Sequence, residues 1–415
     1  MRLLRTIALA AALPSSRCSL SQLPIAEQEL GVERPQVYSV PIAVSGRSSP
    51  YITTLISYRK TQNSILHTIN FTIGTPPQQF NASLNLHSNK MFVPSARSIS
   101  FDYEKRKYRS ADSTTYTPHG APAMADYLGF DYEGILSGDT VQIGGIKTQA
   151  QIFEEYTTSY KQGVFGIGEG FDGVLGLAPP WNSEQDEQRY PNYLAMLQSR
   201  NTLKEDVLSL KLPRSLAEQG EITFGGSNSE LYIGAFRNVS LLPDQLLKPQ
   251  WKGHWAVPLT SLTLNSTVPF CHPTPNYAAI LSSVPILVLP KAFVTSFSAT
   301  VGTPLSGTFW ATIPCERRPF LPEVIFELGG ESFAIDGWDY VFENGFGEDG
   351  EIMCGIWVDE PGYMKVGEET VVIGTVFLKR WYSRWEFGGN SRKVGCKCSY
   401  LRRMGWMLTV MQLRN

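Results

Sequence analysis

The chain has 415 residues, of which 42% are hydrophobic and 18% charged, and its net charge is −2. This composition is typical of a globular protein, and the length suffices for two or three domains with a substantial core. The near-neutral charge predicts neither a nucleic-acid nor an anionic-membrane partner, because both bind through clustered positive charge. The 36 glycines and 27 prolines favour a turn-rich β protein.

The N-terminus has the pattern of a secretory signal peptide. A basic start, M-R-L-L-R, precedes a short apolar core, T-I-A-L-A-A-A-L-P, and small residues follow as far as Ser21. The core is too short to cross a membrane, so we predict removal of residues 1–21 and a secreted, extracellular protein. The alternative is a buried N-terminal helix. No later segment approaches the length of a transmembrane helix, so no membrane span is predicted.

Sequons and cysteines fit an oxidising compartment. Four N-x-S/T triplets predict glycosylation at Asn70, Asn81, Asn238 and Asn265, although each triplet alone is weak because such matches occur by chance. The chain has six cysteines, and five remain once the predicted signal peptide with Cys18 is removed. This number predicts two disulfides and one unpaired thiol.

The chain then changes texture twice. Residues 22–65 are polar, contain proline and have no clear periodicity, which predicts a propeptide or a disordered lead-in, with Arg59-Lys60 as a candidate processing site. An ordinary surface extension is the alternative. Residues 401–415 form a tail that the rest of the pattern does not explain.

From His67 onward, short alternating segments are separated by Gly, Pro and Asn. Examples are T-I-N-F-T-I-G, G-I-L-S-G-D-T-V-Q-I-G-G and V-I-F-E-L-G-G-E-S-F-A-I. Period-two patterning with β-branched and aromatic residues predicts strands, and the repeated turn signals predict an all-β fold. Helices are predicted at Tyr193–Arg200, Pro290–Thr300 and Leu378–Tyr382.

Two parts of the sequence resemble each other. Each contains an aliphatic residue followed by proline, Val93-Pro94 and Leu289-Pro290, and later two aliphatic residues followed by glycine, at 174–176 and 372–374. An internal duplication produces such a pattern. We therefore predict two similar β lobes, residues 66–228 and residues 229–400.

Several stretches resemble the pepsin family of aspartic endopeptidases. The segment 71–80, F-T-I-G-T-P-P-Q-Q-F, is similar to the entry strand and turn of that family, and further matches follow in order at 139–145, 171–178, 220–226 and 371–378. The resemblance covers about residues 66–398. It implies an all-β, bilobal fold with a central cleft and few short helices.

The resemblance also implies individual roles. Tyr127, seven residues before G-I-L at 134–136, resembles the tyrosine of the family's flap, which implies a substrate-binding role. Cys315 and Cys354 bracket L-P-E-V-I-F-E-L-G-G as the second-lobe disulfide of the family does. For Cys396-Lys-Cys398, a disulfide to Cys271 is favoured over a metal site, because no ligand set has the required spacing.

The chemistry of that family needs two aspartates, one from each lobe, each in an Asp-Thr/Ser-Gly turn. Two such close carboxyls share one proton, so that one activates a water and the other protonates the carbonyl oxygen. Aligned on Met91-Phe-Val-Pro-Ser95, the first turn has Asn85, Leu86 and His87 in those three places. The acid, the bracing hydroxyl and the small glycine are all missing.

The second turn lies in A-I-L-S-S-V-P-I-L-V-L-P, residues 279–290, and two alignments are open. Anchoring on the start of this stretch puts Ser282 on the aspartate, with one residue lost afterwards. Anchoring on its end puts Leu281 there instead. Neither alignment finds an acid, and Val284 with Pro285 replaces the flexible end of the motif. The degenerate catalytic positions are therefore assigned to Asn85 and Ser282.

Other groups are poor substitutes for the missing acids. Asp126, Asp131 and Asp172 are interpreted as solvated loop carboxylates away from the cleft floor. His87 and Ser88 as base and nucleophile are disfavoured, because adjacent residues on a strand and turn rarely face each other.

The sequence therefore predicts a secreted, catalytically inactive pseudopeptidase whose cleft binds an extended peptide or protein ligand. An active aspartic endopeptidase working at acidic pH is the first alternative, and a purely structural extracellular domain is the second. No cofactor and no metal are predicted, and the protein is expected to be a monomer.

Overall fold

The computed structural model describes residues 38–45, 66–99, 105–127, 130–161, 171–180, 192–214, 218–265, 268–271, 277–305, 311–347, 349–364, 371–388 and 393–399. The predicted signal peptide, the candidate processing site and the tail at 401–415 lie outside the described residues. All described residues belong to one unit, Pro35–Asn415.

The chain forms strands throughout, as the period-two pattern predicts. The first half contains β1 (Tyr38–Ser45), β2 (Leu66–Ile73), β3 (Gln78–Asn85), β4 (Met91–Pro94), β5 (Thr117–Tyr127), β6 (Phe130–Ile143), β7 (Ile146–Lys161), β8 (Gly173–Gly176), β9 (Val207–Lys211) and β10 (Gly220–Phe224). The second half contains β11 (Tyr232–Ser240), β12 (Ala256–Leu264), β13 (Val268–Cys271), β14 (Tyr277–Ile280), β15 (Leu287–Val288), β16 (Thr312–Pro314), β17 (Val324–Leu328), β18 (Glu331–Ile335), β19 (Val341–Phe346), β20 (Ile352–Ile356), β21 (Val358–Asp359), β22 (Val371–Ile373), β23 (Trp381–Glu386) and β24 (Lys393–Ser399).

Three sheets organise these strands. The largest has the order β11-β24-β23-β9-β10-β1-β2-β3-β8-β4-β7-β6-β5, so it contains strands from both ends of the chain. The second has the order β18-β17-β12-β14-β22-β15-β21, with β13 beside β12, and the third is β16-β20-β19. This arrangement confirms the predicted all-β, two-lobed fold.

Strand β1 lies inside the segment predicted to be a propeptide or disordered lead-in. It pairs antiparallel with β10, where Tyr38 lies opposite Phe224, and with β2, where Ala43 lies opposite Thr68. The disordered alternative is therefore wrong for these eight residues. The prediction failed because Tyr38–Ser45 obtains its backbone partners from strands far along the chain, which no local pattern shows. The propeptide alternative stays a prediction.

Four short α-helices are described: α1 (Tyr193–Ser199), α2 (Lys291–Val301), α3 (Gly337–Tyr340) and α4 (Thr375–Leu378). The first two confirm their predictions. The Asn192 side chain caps α1 by accepting from the Ala195 amide, and α2 ends at Gly302 with φ 71°.

The third predicted helix, Leu378–Tyr382, is misplaced. The helix is α4, which ends at Leu378, and Trp381 and Tyr382 begin β23 between β9 and β24. Aromatic residues at this point suit a strand with a buried face better than a helix end.

The core spans both halves of the chain. Buried apolar residues from β2, β3, β9, β12, β14, β17 and β22 pack into one large cluster. A second cluster, the flap cluster, is defined by the buried residues Phe92, Ala125, Tyr127, Tyr132, Tyr156, Phe171 and Val174, and lies under the β5–β6 hairpin. Within the described parts of the chain, no helix is long and apolar enough to cross a membrane.

Cysteine chemistry agrees with the sequence in one place and differs in another. The disulfide between Cys315 and Cys354 is confirmed, and it joins residues separated by 39 positions. Cys396 carries a buried free thiol, and burial raises its pKa to about 12, so the predicted bridge to Cys271 is wrong for this cysteine. The side chains of Cys271 and Cys398 lie outside the described residues.

Candidate functional site

Two turns meet between the lobes. The first follows β3 and leads through 86–90 into β4, and the second follows β14 and leads through 281–286 into β15. In each lobe the strand before the turn pairs in parallel with a second strand, β8 or β22, and that same strand pairs antiparallel with the strand after the turn. The two lobes therefore build the same local structure twice.

The strand registers decide which residues correspond. Leu84 lies opposite Leu175 in the first lobe, and Ile280 lies opposite Ile373 in the second. On the far side of each turn, Met91 lies opposite Leu175. Leu287 lies opposite Ile373 in the same way.

These registers give a constant offset of 196 positions between the two turns, and no residue is lost between them. Leu281 is therefore the counterpart of Asn85, and Ser282 is the counterpart of Leu86. The assignment of the second degenerate position to Ser282 is wrong, and the alternative alignment, which puts Leu281 there, is the correct one. The sequence could not choose between them because no acid marked the position.

Two glycines confirm this correspondence. A Cβ at Gly176 would lie within 2.5 Å of the carbonyl oxygens of Ser88 and Lys90. A Cβ at Gly374 would lie equally close to those of Val284 and Ile286, which again lie 196 positions further along. Each turn thus packs its backbone directly on a glycine, which is why the two aliphatic-aliphatic-glycine elements recur.

Ser282 holds the two turns together. Its hydroxyl accepts from the Leu86 amide at 2.9 Å and donates to the Leu84 carbonyl at 2.9 Å. Both backbone groups belong to the other lobe, and Ser282 is only 5% exposed. Leu86, at the matching place in the first turn, has no hydroxyl to return the interaction, so the bracing is one-sided.

Asn85, which the sequence resemblance aligns with the first acid of the family, is 1% exposed. Its Oδ1 accepts from the His87 amide at 3.0 Å. Its Nδ2 is buried and has no hydrogen-bond partner among the residues that the structure describes. A buried donor without a partner costs free energy, which makes this atom a candidate ligand contact. Leu281, its counterpart, is apolar and 2% exposed.

Three polar side chains, those of Ser283, His87 and His254, lie next to one another at the first turn. The Ser283 hydroxyl is 3.2 Å from Nδ1 of His87, its own counterpart in the first turn. The His87 and His254 rings are stacked, with centroids 6.0 Å apart. Burial, and second the neighbouring His254, lower the pKa of His87 to about 3. Burial also lowers the pKa of His254 to about 4, against the charge of Asp244. Both rings are therefore neutral at pH 7.

His254 was not found by sequence reasoning. It lies just before β12, and the indole nitrogen of the next residue, Trp255, donates to the Leu177 carbonyl at 3.0 Å. This hydrogen bond attaches the segment to the end of β8 beneath the first turn. The signal available in the sequence was weak: G-H-W is one of few histidine positions in a chain with only five histidines.

Tyr127 lies at the end of β5, on the hairpin predicted to form the flap. It is 2% exposed, and its hydroxyl is 2.7 Å from the hydroxyl of Ser83. Its ring packs edge-on against Phe171, with centroids 5.7 Å apart, and against Phe92. Burial raises the pKa of Tyr127. The side chain therefore packs into its own lobe, and its role in ligand binding stays a prediction.

Two ionisable groups that the sequence analysis missed lie beside the flap cluster. The Lys105 ammonium lies over the Phe171 ring, 4.7 Å from its centroid. Glu154 is fully buried, neither carboxyl oxygen has a hydrogen-bond partner among the described residues, and burial raises its pKa to about 8. The pair of acids in I-F-E-E-Y, within a strand of buried aromatic residues, was the available signal.

The interpretation of the three other aspartates needs one correction. Asp172 is buried rather than solvated, because its carboxylate accepts from the amides of Asn81 and Arg106, each at 2.8 Å. Asp126 and Asp131 lie opposite each other across the β5–β6 hairpin, as loop-side carboxylates. The described residues include no group of three or more His, Cys, Asp or Glu side chains placed to hold a metal ion.

The sequons lie on strands or at their ends. Asn70 and Asn81 are cross-strand partners in β2 and β3, and the side-chain Nδ2 of Asn81 donates to Asn70 Oδ1 at 3.1 Å. Asn70, Asn238 and Asn265 are exposed, as an acceptor for glycan must be. Glycosylation at each of the four stays a prediction.

The two-lobed β fold with paired turns at the lobe junction defines the class of protein: it is the architecture of pepsin-like aspartic peptidases. A model of eukaryotic aspartyl proteases matches residues 67–396. The chain belongs to this family.

Individual relatives agree with the family match. A vacuolar protease A of Aspergillus fumigatus is 29% identical, over 77% of this chain and 76% of its own. Cathepsin D of Bos taurus is 30% identical, over 78% of this chain and 82% of its own. Renin of Canis lupus familiaris is 26% identical, over 92% and 90%.

Proposed function

We propose that this member of the family is a catalytically inactive pseudopeptidase that uses its cleft to bind an extended peptide. The observation that carries the proposal is the register of the two turns, which puts Asn85 and Leu281 at the paired positions. An amide and an aliphatic side chain replace the two groups that would share a proton.

The chemical consequence is direct. Peptide hydrolysis by this family's mechanism needs one carboxylate to take a proton from water and one carboxyl to protonate the carbonyl oxygen. Asn85 has neither a basic nitrogen nor an anionic oxygen, and Leu281 has no polar atom. Asp172, the nearest buried aspartate to β8, already accepts two backbone amides. Losing a positioned acid or base typically costs about 10²- to 10⁴-fold for each group.

Proteolysis at acidic pH tests the proposal. The purified protein, from which any N-terminal signal peptide or propeptide has been removed, is incubated with a denatured protein substrate. The incubation is done with and without pepstatin. We expect no pepstatin-sensitive cleavage. Cleavage by the wild-type chain would establish the active endopeptidase alternative, which is supported by the proteases named above as relatives.

A pair of double variants sharpens the test. We expect Asn85→Asp with Leu281→Asp to restore no useful activity, because His87 fills the place of a glycine and Leu86 cannot brace the turn. A misplacement near 1 Å costs about a hundredfold. Asn85→Asp with Ser282→Asp is the matched control, since it returns two acids in the wrong register. Activity in the first variant but not in the control would show that two restored acids are catalytically competent even with Leu86 and His87 in the first turn.

Peptide binding is supported by the retained architecture. The turns, the hairpin and the Ser282 bracing are all present, and an extended peptide binds such a cleft by strand-like pairing. Binding of an extended peptide by the full chain would favour this function over the purely structural domain.

We further propose that the chain is secreted and glycosylated. The predicted signal peptide and the exposed asparagines at 70, 238 and 265 support this proposal. Expression in a eukaryotic host should yield secreted protein that loses mass on deglycosylation. Retention in the cell without such a mass change would contradict it.

A further inference from the structure

The centre of the cleft differs from that of an aspartic peptidase in charge as well as in chemistry. A pair of close carboxyls shares one proton and so carries negative charge. Here the same place holds an amide, an aliphatic side chain and two neutral imidazoles. The cleft centre therefore has donors and protonatable groups where the family has an anion.

Two atoms at this centre point to a ligand. The Asn85 Nδ2 is a hydrogen-bond donor, it is buried, and it has no partner among the described residues. The Nδ1 of His254 is also buried without a partner in the described part of the chain. A buried polar atom of this kind is stabilised when a ligand atom completes its hydrogen bond.

The neighbouring groups match the same ligand. The Ser283 hydroxyl and His87 lie within 3.2 Å of each other, and His87 stacks on His254. His87 and His254 are each half-buried, so part of each residue is accessible from solvent. Imidazole, amide and hydroxyl groups together donate to an acceptor-only group, and a carboxylate is the acceptor-only group that peptides contain.

We propose that the centre of the cleft binds a carboxylate of its peptide ligand, through Asn85, Ser283, His87 and His254. The inference rests on the proposed peptide-binding function. The carboxylate comes either from an Asp or Glu side chain or from the C-terminus of the peptide, because both present the same two oxygens. Binding stabilises the protonated form of an imidazole, so the complex takes up protons.

The charges around the two rings are consistent with this role. Asp244, whose carboxylate accepts from the Gly253 amide at 3.0 Å, favours protonation of His254. His87 and His254 disfavour each other's protonation, which limits uptake to about one proton. Lys90, on the first turn, donates to the Met124 carbonyl and adds positive charge at the edge of this region.

Calorimetric titration of the full chain with four synthetic peptides tests the proposal. Two acetylated and amidated heptapeptides, Thr-Val-Thr-Xaa-Thr-Val-Thr, differ only in Glu or Gln at the centre. Two acetylated tetrapeptides, Thr-Val-Thr-Val, differ only in a free or an amidated C-terminus. At about pH 5.5 we expect a carboxylate peptide to bind about tenfold more tightly than its amide twin, as charge-assisted hydrogen bonds allow. The advantage should shrink at about pH 7.5, and buffers of different ionisation enthalpy should report proton uptake.

Two variants and a control locate the effect. His254→Phe should reduce the carboxylate advantage to about twofold and remove proton uptake. Asn85→Asp should reverse the preference, because it returns a negative charge to the centre with little change of shape. His119→Phe, at an exposed histidine of β5, should keep the full advantage. Circular dichroism checks that each variant is folded.

Every outcome decides the matter. A preference for Glu identifies a side chain as the source, and a preference for the free C-terminus identifies the chain end. Equal affinities for all twins, or a preference that His254→Phe and Asn85→Asp leave intact, overturn the carboxylate inference while peptide binding stands. If none of the four peptides binds, the inference falls together with the peptide-binding function. Mass spectrometry after titration detects cleavage, which would refute inactivity alone.

Discussion

The two turns at the lobe junction have the same strand pairing around them but differ in which positions carry polar side chains. The first turn has a polar side chain at Asn85 and no hydroxyl at Leu86. The second turn has an apolar side chain at the counterpart position, Leu281, and a hydroxyl at Ser282. Each turn therefore has a polar group where the other turn has an aliphatic side chain.

The difference separates the needs of the fold from those of catalysis. The Ser282 hydroxyl forms hydrogen bonds with two buried backbone groups of the other lobe. Leaving these groups unpaired would lower the free energy of unfolding. Two close carboxyls contribute nothing comparable to stability, because burial and mutual repulsion oppose their ionisation. A cleft without acids can therefore keep its architecture as long as one bracing hydroxyl remains.

The largest expected effect concerns the disulfide of the second lobe rather than the two turns. Replacing both Cys315 and Cys354 with serine opens a loop of 39 residues in the second lobe. The chain-entropy model gives a loss of about 4 kcal/mol in the free energy of unfolding. Urea denaturation of the non-reduced protein measures it, and a change below about 1 kcal/mol would show that the lobe is held by packing alone.

Replacing Leu281 and Asn85 with aspartate, one at a time, compares the cost of an acid at the two corresponding positions. Leu281→Asp should lower the free energy of unfolding at neutral pH by about 3 kcal/mol, because it buries an ionisable group and removes apolar contacts. Asn85→Asp should cost about 1 kcal/mol, since the shape and the bond from the His87 amide are kept. Equal losses from the two variants would contradict the assigned register.

The one-sided bracing predicts a contrast between adjacent serines. Ser282→Ala should cost about 2 kcal/mol, because it leaves the Leu86 amide and the Leu84 carbonyl unpaired. Ser283→Ala is the matched control and should cost under about 1 kcal/mol, since the partner of its hydroxyl among the described residues is the His87 ring. If the control costs as much as the test variant, the hydroxyl of Ser282 is not the brace.

The last contrast concerns pH, because the first turn contains a histidine, His87, whereas its counterpart in the second turn is Ser283. The pKa of His87 is lowered to about 3 in the folded state, whereas an unfolded histidine titrates near its ordinary value of 6.5. Between these values the unfolded state binds more protons, so stability falls as the pH falls from about 6.5 towards 3.

Making the turns alike tests this sign. His87→Ser copies the residue of the second turn and should make the acid side of the stability curve shallower, by at most about 1.4 kcal/mol for each pH unit. The histidines at 67 and 254, also with lowered pKa values, should preserve the rest of the slope. An unchanged slope in thermal denaturation between about pH 4.5 and 6.5 would contradict the prediction.

Glu154→Gln should instead flatten the loss of stability expected as pH rises from about 4.5 to 8, because the pKa of this buried carboxyl is raised.

The sequence alone determined the fold, the two lobes, the second-lobe disulfide and the absence of an acid at Asn85. These follow from local features: alternation in the strands, glycines and prolines at the turns, and motifs in the family's order. At the first turn, M-F-V-P-S begins directly after a short loop, so one alignment was possible.

Only the tertiary structure decided the rest, because the deciding contacts join residues far apart in the chain. The counterpart of Asn85 is Leu281 because β14 and β22 pair in one register, and Ser282 braces the first turn from 196 positions away. Strand β1 exists because β10 and β2 supply its partners, and Asp172 is buried because two distant amides bind it. His254 faces His87 only when both lobes are folded together. Local pattern sets which strands form, whereas register and long-range hydrogen bonds set which side chains meet.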